Sequence, residues 1–219
     1  MSNTFTEPTW ASVREAMQEE PSRFTKEAAT PFDLTGVFTR LIQFHFGDAN
    51  RIQHTALKSL VWDSDILQTN ILIAPGFSRD IKTNNKKPAI FVERGTVKPV
   101  PIPTPLKGLN ITIRQFTDGS PATELTDNAK RFKFITGTHN IVCEGLTPAQ
   151  SELLAEEIFV RFLYFAPVIE EDFSLDSFEI GGMSPLQQRE ERPTPTDVVS
   201  IGFSWQKIYF WETVQENPI

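Results

Sequence analysis

Two kinds of hydrophobic rhythm alternate along the chain. Between Thr30 and Gly47 the apolar residues Leu34, Val37, Phe38, Leu41 and Ile42 recur at helical spacing. Between Thr147 and Phe165 the residues Leu154, Ile158, Phe162 and Phe165 do the same. Such a stripe predicts a helix with one buried face. Both segments open on the same grammar, Thr30-Pro31 with Asp33 and Thr147-Pro148. Thr caps the first free N–H groups, Pro fits the first helical position, and an acidic first turn suits the dipole. The first helix is expected to stop at Gly47, the second at Pro167, since Pro breaks a helix interior.

The other rhythm is that of strands. Asn70-Ile-Leu-Ile-Ala74 and Ala89-Ile-Phe-Val92 are short continuous apolar runs, as in strands buried on both faces. Leu109, Ile111 and Ile113 alternate with polar residues and predict a half-buried strand. Arg131–Glu144 is a long strand region, with a bend or interruption at Gly137. Leu57, Leu60, Val61 and Trp62 form a cluster leading into a strand. In the last strand Ile201, Phe203, Trp205, Tyr209 and Trp211 share one face, with Lys207 the single interruption. Together the elements predict an α+β fold, a mixed or antiparallel sheet packed by two main helices.

Several stretches follow neither rhythm. Residues 1–30 read as an N-terminal arm with a short polar helix at Trp10–Glu20, whose apolar edge is only Trp10, Val13 and Met17. The remainder, 31–219, reads as a single domain with extended loops at 97–108, 118–130 and 181–197. Pro99, Pro101, Pro103 and Pro105 fall at every second residue. Each removes a ladder donor, so the segment suits an edge or a polyproline-like arm and not a central strand.

Composition narrows the function classes. A length of 219 residues fits one domain, and 18 Phe supply much of the core volume. With 21 basic against 28 acidic residues the net charge is −7, which argues against a duplex-DNA partner and against sequence-specific nucleic-acid binding. The run Arg79, Lys82, Lys86, Lys87 reads as a solvated loop. One cysteine, Cys143, allows no intrachain disulfide and reads as a buried small hydrophobe. The N-terminus has no secretory pattern and no apolar run is membrane-length, so a membrane partner is not expected and the compartment is cytoplasm or a particle assembled there.

The search for chemistry yields little. His45, His54 and His139 have no metal-ligand spacing, and His139 and Cys143 would stand about 13 Å apart on a strand. Gly76-Phe-Ser78 is not a nucleophile elbow, and Glu170-Glu171-Asp172 reads as a solvated turn. The expectation is a protein that is not an enzyme and needs no cofactor or metal. Trp205, Tyr209 and Trp211 could instead form a sugar-stacking platform, which gives an alternative reading as a carbohydrate-binding or receptor-contacting module. The blander reading makes them core or subunit interface. The candidate interface residues are therefore Trp10, Pro99, Pro101, Pro103, Trp205, Tyr209 and Trp211.

The order of these elements resembles the neck and tail-completion proteins of contractile-tailed bacteriophages, in particular tail terminators. The resemblance spans roughly residues 32–214. It is carried by the block Pro88-Ala-Ile-Phe-Val-Glu-Arg-Gly95, the helix sequence Glu152-Leu-Leu-Ala-Glu-Glu157 and the closing aromatic strand Val198–Val214. It implies a virion protein that forms a homo-oligomeric ring, commonly of six copies. Such a ring terminates the tail tube and sheath and joins the tail to the head connector. Its partners would be tube, sheath and connector proteins, and its location the virion neck after assembly in the host cytoplasm. The 30-residue arm and the Pro99–Pro105 segment depart from the family pattern, and both suit reaching a neighbour in a ring.

Overall fold

Thr30 caps the first helix as its sequence requires. Its hydroxyl accepts from the Asp33 N–H, and the Asp33 carboxylate accepts from the Thr30 N–H at 2.8 Å. This reciprocal pair satisfies donors that a helix start leaves open. The helix, α1 (Pro31–Phe46), ends at Gly47 and buries Leu34, Val37, Phe38, Leu41 and Ile42. The structure is a computed structural model and describes residues 30–78, 88–100, 129–189 and 196–213. The expected helix at Trp10–Glu20, the strand at Leu109–Ile113 and the basic run from Arg79 to Lys87 lie outside those residues.

The fold is α+β. Among the described residues, six strands form one mixed sheet: β1 (Leu72–Pro75), β2 (Ala89–Pro99), β3 (Ala129–Glu144), β4 (Ser177–Met183), β5 (Gln187–Arg189) and β6 (Thr196–Thr213). Their order is β1-β2-β3-β6-β4, with β5 also paired to β6. Only β1 and β2 run parallel. The second helix, α2 (Pro148–Asp172), packs on β3, β6 and β4, while α1 packs on β1 and β2. The two helices thus share one face of the sheet from opposite ends, and they meet edge-to-face through Phe38 and Phe162, 5.4 Å apart.

The apolar runs behave as their pattern implies. Ile90 and Val92 face the helices and join Ile73, Ile141, Val199, Ile201 and Phe203 in the main core. Ala89 and Phe91 point the other way, where they are buried with Leu72, Val142 and Val198. Central strands buried on both faces lose the polar alternation of half-buried ones.

Four expectations need correction. Pro167 does not end α2, which continues to Asp172. The reason is position. Pro167 lies on the exposed side of the helix, as does Leu163, whose carbonyl would have received its N–H. Buried Phe165 and Ile169 hold the helix to the sheet on either side of it. Gly137 does not interrupt β3, whose pairing with β6 is unbroken from Ala129↔Thr213 to Glu144↔Val198, although the register with β2 shifts beside it, between Arg94 and Val97. Its hydrogen makes room for an indole: a Cβ there would fall 2.1 Å from Cζ2 of Trp205.

The expected loops are partly strand. Residues 97–99 finish β2, residues 129–130 begin β3, and 181–197 holds the end of β4, all of β5 and the start of β6. Gly182, at φ +104, takes up a register shift in β4 so that pairing with β6 continues. Pro99 is tolerated in β2 because β1 ends opposite Val92, leaving that side of β2 without a described partner strand. Finally, Leu57–Trp62 is not a strand lead. A 3₁₀ turn at Thr55–Leu57 is followed by a loop, fixed where the Trp62 N–H donates to Phe46 O and the Asn70 N–H to Val61 O, each at 2.9 Å.

Candidate functional site

The three histidines are the natural place to look for chemistry. His139, on β3, is fully buried. Its Nδ1 accepts from Trp205 Nε1–H at 3.0 Å, so its proton sits on Nε2. Nε2–H donates to Thr35 Oγ1 at 2.9 Å, and that hydroxyl donates to the Pro31 carbonyl at 3.2 Å. Burial lowers the His139 pKa to about 4, with Arg94 adding to the shift and the Pro31 carbonyl opposing it. The relay ties β6, β3 and the first turn of α1 together. Both ring nitrogens are spent on protein, so it has nothing to offer a substrate.

His45, near the end of α1, is buried against Glu157 of α2. Its Nε2–H donates to Glu157 Oε1 at 2.7 Å. The same carboxylate accepts the backbone N–H groups of Gln53 at 2.9 Å and His54 at 3.0 Å. Burial opposes ionisation of Glu157, but these three donors outweigh it and its pKa is lowered. The His45 pKa is lowered too, chiefly by burial, with Glu157 opposing. The pair is thus a carboxylate and a neutral imidazole. Nearby, the Arg51 guanidinium lies 3.7 Å above the Phe44 ring, and Arg161 donates to the Arg51 carbonyl at 3.3 Å. This cluster pins the loop after α1 onto α2. His54 stands near Glu156 at the surface, 3.7 Å away.

Other polar residues in the apolar pattern have structural partners as well. Lys207, the interruption in the last strand, is buried and donates from Nζ to the Phe173 carbonyl at 2.9 Å. It places a cation on the carbonyl end of α2, where the helix dipole favours one. Burial lowers its pKa and Asp176 opposes the shift. Burial pushes the Cys143 thiol up, with Glu144 adding to it, which leaves the thiol protonated and unreactive. Among the described residues no group of His, Cys, Asp or Glu could hold a metal ion. No helix there is long and apolar enough to cross a membrane.

The surface carries the more suggestive features. On the outer side of α2, Val160, Leu163 and Tyr164 are 41%, 51% and 55% exposed, and Pro167 extends the row. Glu152 and Glu156 precede this stripe and Glu171 follows it, all exposed. At the other end of the sheet, Phe32 and Phe77 stack in the open with centroids 5.2 Å apart. A third feature is a ribbon. β2 reaches only to Ile135 in its register with β3, and β4 only to Gln206 in its register with β6. Beyond those points β3 and β6 pair with each other alone among the described residues, as far as Ala129↔Thr213.

The sequence-based interface residues divide accordingly. Trp205 is 1% exposed and belongs to the core beside Gly137 and His139, so it is corrected from interface to core. A sugar platform cannot include it. Pro99 is exposed at the end of β2. Tyr209 and Trp211 lie on the ribbon, in register with Lys133 and Arg131, and their side chains are outside the described residues. Trp10, Pro101 and Pro103 are outside them as well. Sequence reasoning missed Val160, Leu163 and Tyr164. The signal was present as a second apolar set at 160, 163, 164 and 167, one helical face away from the first.

Compared with known families and with characterised proteins, the chain matches no family model and no characterised protein.

Proposed function

We propose that the chain is a structural subunit of a tailed-phage virion. It forms a homo-oligomeric ring, with six copies expected, at the neck. The ring terminates the tail tube and sheath and joins the tail to the head connector. The subunit acts by assembly and not by catalysis.

The observation that carries this reading is the β3–β6 ribbon. Two strands alone are marginal in water and gain stability when something packs on them. Among the described residues this pair runs past the rest of the sheet and brings Tyr209 and Trp211 to its outer half. Tyr and Trp are enriched where subunits meet. A ring offers such a ribbon a neighbour at every position. The sequence of elements, from the capped first helix through Pro88–Gly95 to the closing aromatic strand, fits the resemblance to tail terminators. The polar groups inside the subunit support an assembly role in their own way. His139 ties α1 to the sheet, and His45 with Glu157 ties α1 and the loop after it to α2, which gives a braced body on which interface elements can be mounted.

The test is cryo-electron microscopy of particles assembled with and without this chain. The expected result is a ring of density at the head–tail junction. Without the chain, tails should be irregular in length and should not join heads. Normal tail length and head attachment in its absence would sink the proposal.

A further inference from the structure

His139 lies where three elements meet, and its hydrogen bonds run in one direction. The Trp205 indole N–H of β6 donates to Nδ1, Nε2–H donates to Thr35 Oγ1, and that hydroxyl donates to the Pro31 carbonyl of α1. Every hydrogen of this chain of bonds therefore has a fixed place. An added proton must go to Nδ1, which then faces the indole N–H, donor against donor. The indole has little freedom to turn away. It lies on Gly137, where even a Cβ would fall 2.1 Å from its Cζ2.

The charges around the ring also reject an imidazolium. Arg94 of β2 stands opposite His139 in the register. The first turn of α1, positive by its dipole, comes within 2.9 Å of the ring through Thr35. Asp33 of that turn is committed to capping Thr30. Lys207 of β6, two residues past Trp205, adds a cation, with its Nζ on the Phe173 carbonyl. On α2, Glu157 and Arg161 are bonded to the loop after α1. From that side His139 meets Phe38, edge-on at 5.1 Å, which in turn meets Phe162 of α2.

The geometry points to an acid-released latch: a proton on His139 parts the first turn of α1 from the β3–β6 pair while the rest of the sheet stays folded. That turn is the part of the cover that can yield. Phe32 is exposed and Pro31 and Asp33 are half-buried, whereas Leu34, Val37 and Phe38 beyond them are buried. Water admitted there solvates the imidazolium and relieves the opposed donors. The β3–β6 ladder continues on both sides of Gly137↔Trp205, so the sheet does not depend on this one contact. The latch is closed above pH 6.5, the value of a free imidazole, and loses hold as pH falls toward the closed-state value of about 4. Residues 1–29 join the described body at Thr30, so the latch decides whether their point of attachment is fixed to the sheet.

Hydrogen exchange followed by NMR on the full chain tests the latch, with each rate corrected for its intrinsic pH dependence. The Trp205 indole is identified by its proximity to the His139 ring. Its protection should fall about ten-fold per pH unit between pH 6.5 and 4, as uptake of one proton requires. At pH 5 the indole N–H and the Leu34 N–H, which bonds to the Thr30 carbonyl, should exchange at least about ten-fold faster than amides of the β3–β6 ladder. His139→Gln can accept from the indole and donate to Thr35 without titrating, so it should remove the pH dependence of the indole. Equal protection of the indole and the ladder would mean that only global unfolding exposes the site, and would overturn the latch. So would an indole whose protection ignores pH, or a His139→Gln protein that keeps the same slope. The comparison within the unaltered chain needs no variant, so it decides the matter even if His139→Gln does not fold.

Discussion

The two sides of α2 are both apolar, yet they belong to different problems. The inner side carries Leu154, Ile158, Phe162, Phe165 and Ile169, all buried against the sheet and α1. It also carries Glu157 and Arg161, each with protein partners. The outer side carries Val160, Leu163 and Tyr164 in solvent between acidic flanks. On the inner side apolar groups have neighbours, and Glu157 and Arg161 have hydrogen bonds. The outer side leaves its apolar groups in solvent. A helix hydrophobic on two sides is thus informative in its asymmetry. One stripe defines the fold, and the other faces solvent.

The strongest way to break this comparison is to exchange the two sides by charge. Ile158→Asp buries a carboxylate with no partner and should cost several kcal/mol, enough to abolish cooperative folding. Circular dichroism melts would read this directly. A soluble Ile158→Asp protein with a sharp transition would show that the inner side has been assigned wrongly.

Acid should weaken the inner side next. His139 has a folded pKa of about 4 against 6.5 for the free side chain. Between those pH values the unfolded chain binds the extra proton, so stability falls as pH drops through that window. The contribution is fully present above pH 6.5, and its loss by pH 4 is on the order of 3 kcal/mol. The lowered pKa of His45 acts in the same direction. So does the lowered pKa of Glu157, whose contribution disappears as that carboxylate is protonated. Urea midpoints at pH 7 and pH 4.5 should therefore differ clearly. Equal midpoints would mean that His139 is not held neutral in the core.

A smaller effect should come from Gly137→Ala. The new methyl would overlap the Trp205 ring, and repacking a filled core around it should cost about 1–3 kcal/mol. Chemical denaturation of the variant measures this, and an unchanged midpoint would mean that the indole has room to move. Least of all should change in Leu163→Ser, which alters an exposed position. Its folding stability should stay within about 0.5 kcal/mol of the parent. A large stability loss would place Leu163 in the core and erase the distinction between the two sides.

Local chemistry was legible in the sequence, and long-range pairing was not. Thr30-Pro31 and Thr147-Pro148 marked both helix starts, because capping depends on residues three apart. Ala89–Val92 read as buried on both faces because its apolar run has no alternation. Pro167 misled because a helix breaker is judged by chain position, whereas its cost depends on which side of the helix meets solvent. Trp205 and His139 gave no sign of their hydrogen bond. They are 66 residues apart, and only the β3–β6 register brings them together. Lys207 looked like a flaw in an aromatic row, since nothing in that strand announces a distant helix end needing a cation. The outer stripe was readable but passed over once the inner one had accounted for the helix.

The long β3–β6 pairing has a mechanical consequence. Its hydrogen bonds run across the strands, while the strands themselves run the length of the ribbon. A pull on β6 at the Thr213 end, directed along the strand against an anchored β3, loads these bonds side by side, in shear. Peeling the strands apart sideways would load them one rung at a time. The same ladder is therefore stiff to axial tension and weak to lateral peeling. A subunit mounted so that tension follows β6 would resist force in a way that its folding stability alone does not measure.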